Sequence, residues 1–186
     1  MCALLEYEDL GGVVLVGHSY GGMVVAGVAG RMPQRLAHVV YLDAYVPEDG
    51  QSMIDLVPPE RLESMLARVH DEGDGWRLPS FAPESWDVTV RERYLVTDAA
   101  EVRWLVERLR PQPFKTMTEP LRVENPAAAA AIPRTYIRCP LYPNAKFDEH
   151  ARSFREQGLP SFELPTSHDA MVTAPRQLAD ILLALS

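Results

Sequence analysis

Apolar positions along this chain fall into two kinds of segment that alternate. Short unbroken runs at Val13-Val14-Leu15-Val16, His38-Val39-Val40-Tyr41-Leu42, Arg134–Cys139 and Ser161–Leu164 are rich in β-branched and aromatic residues. Runs of that length and content predict strands, and the first reads as buried on both faces. Between them lie segments of helical spacing. Leu4–Leu10 reads as the tail of a helix stopped by Gly11-Gly12, Met23–Ala29 as a buried helix, and Phe147–Gln157 as a helix ended by Gly158. Thr173 is placed to cap a last helix, with Pro175 in its first turn and Leu178, Ile181, Leu182 and Leu185 on one face. Alternating strands and helices predict an α/β architecture with a parallel, doubly wound sheet of about four core strands.

Between Gln51 and Asn125 the pattern changes. Pro47-Glu48-Asp49-Gly50 closes the preceding region as a turn. Helical spacing then appears at Pro59–Asp71 and at Asp98–Leu109, the latter opening with Asp98 and Glu101 in a capping-box arrangement. The Gly-, Pro- and Trp-containing stretch from Gly73 to Trp86 reads as loop, and Ala127–Ala131 as a short alanine run. With no parallel strand in this block, residues 51–129 are expected to form a helical cap. Residues 1–50 and 130–186 are expected to form the core of a single domain.

Composition narrows the class without naming it. At 186 residues, 47% hydrophobic and 24% charged, the chain can bury one sizeable core but not two. A net charge of −8 argues against nucleic acid and anionic membranes as partners. No apolar run approaches the roughly 20 residues of a membrane span, and Glu6, Glu8 and Asp9 interrupt the start where a signal peptide would lie. Two cysteines, Cys2 and Cys139, make no disulfide framework and fit a reducing, cytoplasmic setting. No His/Cys cluster has metal-ligand spacing, so no metal is expected.

The chemistry concentrates at Gly17-His18-Ser19-Tyr20-Gly21. This is G-x-S-x-G between a predicted buried strand and a predicted buried helix, the context of a nucleophile elbow. Ser19 would occupy a strained backbone conformation at the apex, and glycines at 17 and 21 would let strand and helix approach closely. The Tyr20 N–H, beside a helix N-terminus, is the candidate oxyanion-hole donor. A serine nucleophile needs a base. Of five histidines, His168 lies on a loop between the last short strand and the last helix, which is the position the chain order nucleophile–acid–base requires. His18 is expected to pack beneath the elbow. His38 starts a strand, and His70 and His150 lie on predicted helices, where structural roles are the simpler reading.

Leu15–Asp43, Tyr45–Ser52 and His168-Asp169-Ala170-Met171 resemble small α/β-hydrolases related to plant methylesterases and hydroxynitrile lyases, in their bacterial esterase branch. The resemblance runs along the whole chain and is weakest in the cap. It implies the α/β-hydrolase fold, Ser19 as nucleophile, His168 as base, the Tyr20 N–H in the oxyanion hole, small ester substrates and no cofactor. Two departures stand out. The loop that usually supplies the acid reads Pro140-Leu141-Tyr142-Pro143-Asn144, with no carboxylate before Asp148 and Glu149. Asp43, at the end of the strand beside the elbow strand, is the favoured acid, with Asp148 or Glu149 as alternatives and a turn carboxylate as its structural reading. Relatives also carry two strands and a helix ahead of the elbow strand, including the loop that gives the second oxyanion donor. On that comparison this sequence reads as N-terminally truncated (a fragment, a mis-called start or a degenerate gene), with the elbow strand as an exposed edge open to self-association.

Three functional readings follow. The first is a serine hydrolase of small apolar carboxylic esters, with Met53, Leu56, Met65, Leu66, Trp86, Trp104 and Met117 giving the cap its apolar character. The second is a catalytically incomplete remnant that binds a ligand or partner. The third, C–C lyase chemistry, is disfavoured because Asp169 stands where hydroxynitrile lyases typically have lysine.

Overall fold

The computed structural model describes residues 1–80 and 94–185. Its centre is a four-stranded parallel sheet of β1 (Val13–His18), β2 (Leu36–Leu42), β5 (Arg134–Arg138) and β6 (Ser161–Glu163), in that spatial order. Helix α2 (Gly21–Arg31) joins β1 to β2, and α7 (Ala145–Glu156) joins β5 to β6. The α/β-hydrolase expectation of about four core strands in a parallel sheet therefore holds.

Side chains of β2 alternate between two cores, as the period of a strand requires. Val39 and Tyr41 meet Val25 and Val28 of α2, Phe154 of α7 and Leu5 of α1 (Cys2–Tyr7) on one face. Val40 and Leu42 meet Ile137, Leu164 and Leu178 on the other, under the last helix α9 (Pro175–Leu183). Ile181, Leu182 and Leu185 pack against the same cluster, which is the face their spacing predicted.

Residues 51–129 contain a 3-10 turn (Met53–Leu56), α3 (Pro59–Glu72), β3 (Arg77–Leu78), α4 (Ala99–Val106), β4 (Gln112–Pro113), α5 (Lys115–Thr118) and the start of α6 (Pro126–Ala131). Asp98 caps α4 by accepting from the Ala100 and Glu101 amides. Met53, Leu56, Met65 and Met117 are buried together against Met23, Tyr45 and Phe147, whereas Leu66 and Trp104 are exposed. Trp86 lies outside the described residues.

Several local expectations are corrected. β1 is an edge strand, as expected, paired among the described residues only with β2, but Val16 is exposed rather than covered on both faces. The segment read as loop from Gly73 contains β3, which pairs antiparallel with β4. The alanine run forms α6, capped by Asn125. Thr173 does not cap the last helix. It ends α8 (Ala170–Thr173), its hydroxyl bonded to Thr166, and Ala174 takes the cap position.

Candidate active site

The strand register brings the site together. His18 pairs with Leu42 and Leu42 with Ile137, so the residues that follow, Ser19 and Asp43, leave the sheet side by side at its C-terminal edge. The chain turns there against backbone hydrogen bonds from Ser19 N to Leu42 O (3.2 Å) and from Asp43 N to Ile137 O (2.7 Å). Both residues sit in the left-handed region, with φ of 53° at Ser19 and 42° at Asp43. For a serine this is uncommon and strained, as expected for the apex of this turn.

Of the two glycines expected to allow the turn, Gly17 is required and Gly21 is not. A Cβ at Gly17 would lie 2.6 Å from Gly21 O, and one at Gly22 would lie 1.9 Å from Tyr45 O. A Cβ at Gly21 would meet nothing within 4 Å. Gly17 therefore lets β1 approach α2 closely, Gly22 lets α2 approach the loop after β2, and Gly21 is not needed for either approach. That loop is fixed to the elbow by Tyr45 N, which donates to Ser19 O at 3.2 Å.

His168 and Asp43, far apart in sequence, meet in a buried contact. His168 Nδ1 lies 2.7 Å from Asp43 Oδ2, and both side chains are sealed from solvent. The other oxygen of Asp43 accepts from Arg138 Nη1 (2.8 Å) and from the Cys139 amide (3.0 Å). The carboxylate is thus held at three points. Asp148 lies elsewhere, on the exposed side of α7, and pairs with Arg138 Nε at 2.8 Å. Glu149 pairs with Lys146. Among the described residues, the hydrogen-bonded carboxylate partner of the His168 ring is Asp43, not Asp148 or Glu149.

The His168 ring is stacked by Tyr142 at 4.5 Å and Phe147 at 5.6 Å between centroids, and His18 lies against it at 4.4 Å. His18 Nε2 is 2.9 Å from the backbone oxygen of His168 and so carries the hydrogen. Burial, then the neighbouring His168, push the His18 pKa down to about 4, which keeps it neutral. Ser19 remains partly accessible beside these buried groups. Among the described residues no hydrogen bond joins Ser19 Oγ to His168, and the Tyr20 amide is likewise unengaged. Such contacts are commonly loose without substrate.

The remaining histidines take other places. His38 bonds Thr135 Oγ1, and His70 is exposed beside Asp71. His150 is buried and accepts the Val46 amide at 3.3 Å. Burial, then the charge of Lys146, lower its pKa to about 4. Arg138, Tyr142 and Phe147 were not singled out from the sequence. The available signal was Arg138 itself, a charge at the end of an apolar buried strand, which calls for a buried carboxylate partner.

Two clefts lie near the site, bounded by neighbours of Ser19 and His168 and not by those two residues themselves. One of about 590 Å³ is bounded by Tyr45, Leu56, Val57 and Tyr142, and one of about 600 Å³ by Tyr20, Met23, Thr116 and Leu121. The Tyr20 hydroxyl donates to Thr116 O at 3.0 Å, joining the elbow to α5. Among the described residues no group of three His, Cys, Asp or Glu could hold a metal ion, and no helix is long and apolar enough to cross a membrane.

Residues 2–181 match the model of the alpha/beta hydrolase family. A carbendazim hydrolyzing esterase from Nocardioides sp. (strain SG-4G) is 34% identical over 192 residues, covering 97% of this chain and 74% of that protein. Among solved structures, an extracellular alpha/beta-hydrolase from a Paenibacillus species superposes with a TM-score of 0.81 at 22% identity, covering all of this chain and 76% of the other. A methylesterase from Arabidopsis gives 0.70 at 22% identity, covering 98% and 73%. The chain belongs to the alpha/beta hydrolase family and is an esterase-like enzyme.

Proposed function

We propose that this chain hydrolyses small apolar carboxylic esters through an acyl-enzyme, with Ser19 as nucleophile, His168 as general base, Asp43 as the acid and the Tyr20 N–H as an oxyanion donor. The observation that carries the reading is the buried 2.7 Å contact between His168 Nδ1 and Asp43 Oδ2. It fixes the tautomer that leaves Nε2 free to accept a proton, and it offers a carboxylate to the imidazolium that forms. Ser19 Oγ attacks the ester carbonyl as its proton passes to Nε2. The oxyanion faces the Tyr20 amide at the start of α2. Collapse returns the proton to the departing alcohol, and a water deprotonated by His168 then releases the acid. The apolar methionines of residues 51–129 and the esterase activity named for the Nocardioides relative support an apolar ester as substrate.

The test is hydrolysis of short-chain aryl esters by wild type, Ser19→Ala, His168→Ala and the double variant. Each single variant should lose nearly all activity and the double variant little more, because these groups act as a unit. Activity that survives Ser19→Ala would remove the reading.

A further inference from the structure

The geometry points to Arg138 as a positioning residue of this site: it clamps Asp43 and Tyr142 around His168 and sets its charge against that of Asp43, with Asp148 moderating that charge from the surface. The inference rests on the triad reading above and concerns a residue that reading does not use.

Arg138 ends β5 beside Asp43 at the end of β2, and its side chain is 4% exposed. Its fork is almost fully engaged. Nη1 donates to Asp43 Oδ1 at 2.8 Å and to the Cys139 carbonyl, Nη2 to the Tyr142 carbonyl at 2.8 Å, and Nε to Asp148 Oδ1 at 2.8 Å. One rigid guanidinium therefore fixes the carboxylate on one side of His168 and the backbone of the aromatic ring stacked on it. Only a planar fork can do both.

The electrostatic consequence follows from sign. An unopposed carboxylate at Nδ1 favours the imidazolium, so a cation on the far oxygen of that carboxylate disfavours it. Asp148, whose side chain is 61% exposed, cancels part of the Arg138 charge. Other groups face His168 as well. His18 at the end of β1 stays neutral, Asp169 follows His168 at the start of α8, Cys139 lies beside Asp43 with its thiol pushed up to about 12 by burial and then by Asp43, and Tyr94 and Tyr142 present their rings. All of these are unchanged in the variants below, so a shift reports on Arg138 and Asp148.

The experiment follows kcat/KM for a short-chain aryl ester against pH and, in parallel, the NMR titration of the His168 ring in the full chain. Arg138→Gln should move the acid limb and the His168 midpoint up by about one pH unit, the usual size for removing a charge at this range. Arg138→Lys should bring the limb back toward wild type while kcat stays low, because charge returns without the fork. Asp148→Asn should move the limb down by about 0.3, since only a solvated charge is lost. If Arg138→Gln does not fold, the sign of the Asp148→Asn shift decides. Limbs and midpoints that stay put in every folded variant, with only the melting temperature lowered, would overturn the inference. Because the NMR midpoint needs no turnover, it separates this failure from failure of the triad reading, which Ser19→Ala would reveal through surviving activity.

Discussion

His18 donates its Nε2 hydrogen to the backbone oxygen of His168 at 2.9 Å. His18, the residue before Ser19, therefore holds the chain at His168. The elbow and the loop after β6 come from opposite ends of the sequence, and β1 and β6 lie at opposite edges of the sheet. This bond and the 4.4 Å ring contact beside it tie the two together.

The first prediction concerns that tie. His18→Ala removes the donor and opens space beside the His168 ring. Activity should fall by about 10²-fold, the scale expected when a catalytic group drifts by about an ångström. His18→Gln retains an amide donor and should lose less. Steady-state kinetics of both, beside their melting temperatures, check this. Equal activity in His18→Ala and wild type would mean that the bond positions nothing.

Acid stability follows from His18 and His150. Both are held neutral by burial, with folded values of about 4 against an ordinary 6.5. Between these values the unfolded chain binds more protons than the folded one, so stability falls as pH drops through that window. At the low end each histidine costs about 3 kcal/mol, together a large part of a domain's net stability. Urea unfolding at pH 7 and at pH 4.5 should show a marked loss. His150→Gln should flatten the dependence, and an unchanged slope would contradict this account.

Glycine substitutions should separate cleanly. Gly22→Ala drives a methyl onto Tyr45 O and should destabilise by about 3 kcal/mol or prevent folding. Gly21→Ala meets open space and should fold with little change. Thermal melts of the two distinguish them. The reverse order would mean that the elbow is packed differently.

How much of this was legible in the sequence differs by residue. Ser19 and His168 were legible because each carries a local signature: a serine between glycines at a strand–helix junction, and a histidine on the loop before the last helix. The inner strands β2 and β5 were legible because burial on two faces favours runs of β-branched and aromatic residues, and the edge strands β1 and β6 by similar content although Val16 and Phe162 are exposed. Asp43 was only a preference, since its partner His168 lies across the chain and only the register of β1, β2 and β5 brings the two to one edge. The role of Gly22 was illegible for the same reason, because its close neighbour, Tyr45 O, belongs to another loop. Arg138 was overlooked although a charge within an apolar run is itself a signal. The short elements β3 and α6 escaped because two or six residues hold too little pattern to outweigh a loop composition.

The central claim is that Ser19, His168 and Asp43 act as one unit. Its most direct measurement is the rate at which a serine-directed fluorophosphonate labels the chain, read by intact mass and peptide mapping. Wild type should give a single adduct on the peptide containing Ser19, and Ser19→Ala none. Asp43→Asn should label at least about 10²-fold more slowly, because the histidine loses both its tautomer and its counter-charge, while Asp148→Asn should label at close to the wild-type rate. An adduct on another residue, or Asp43→Asn labelling as fast as wild type, would contradict the claim.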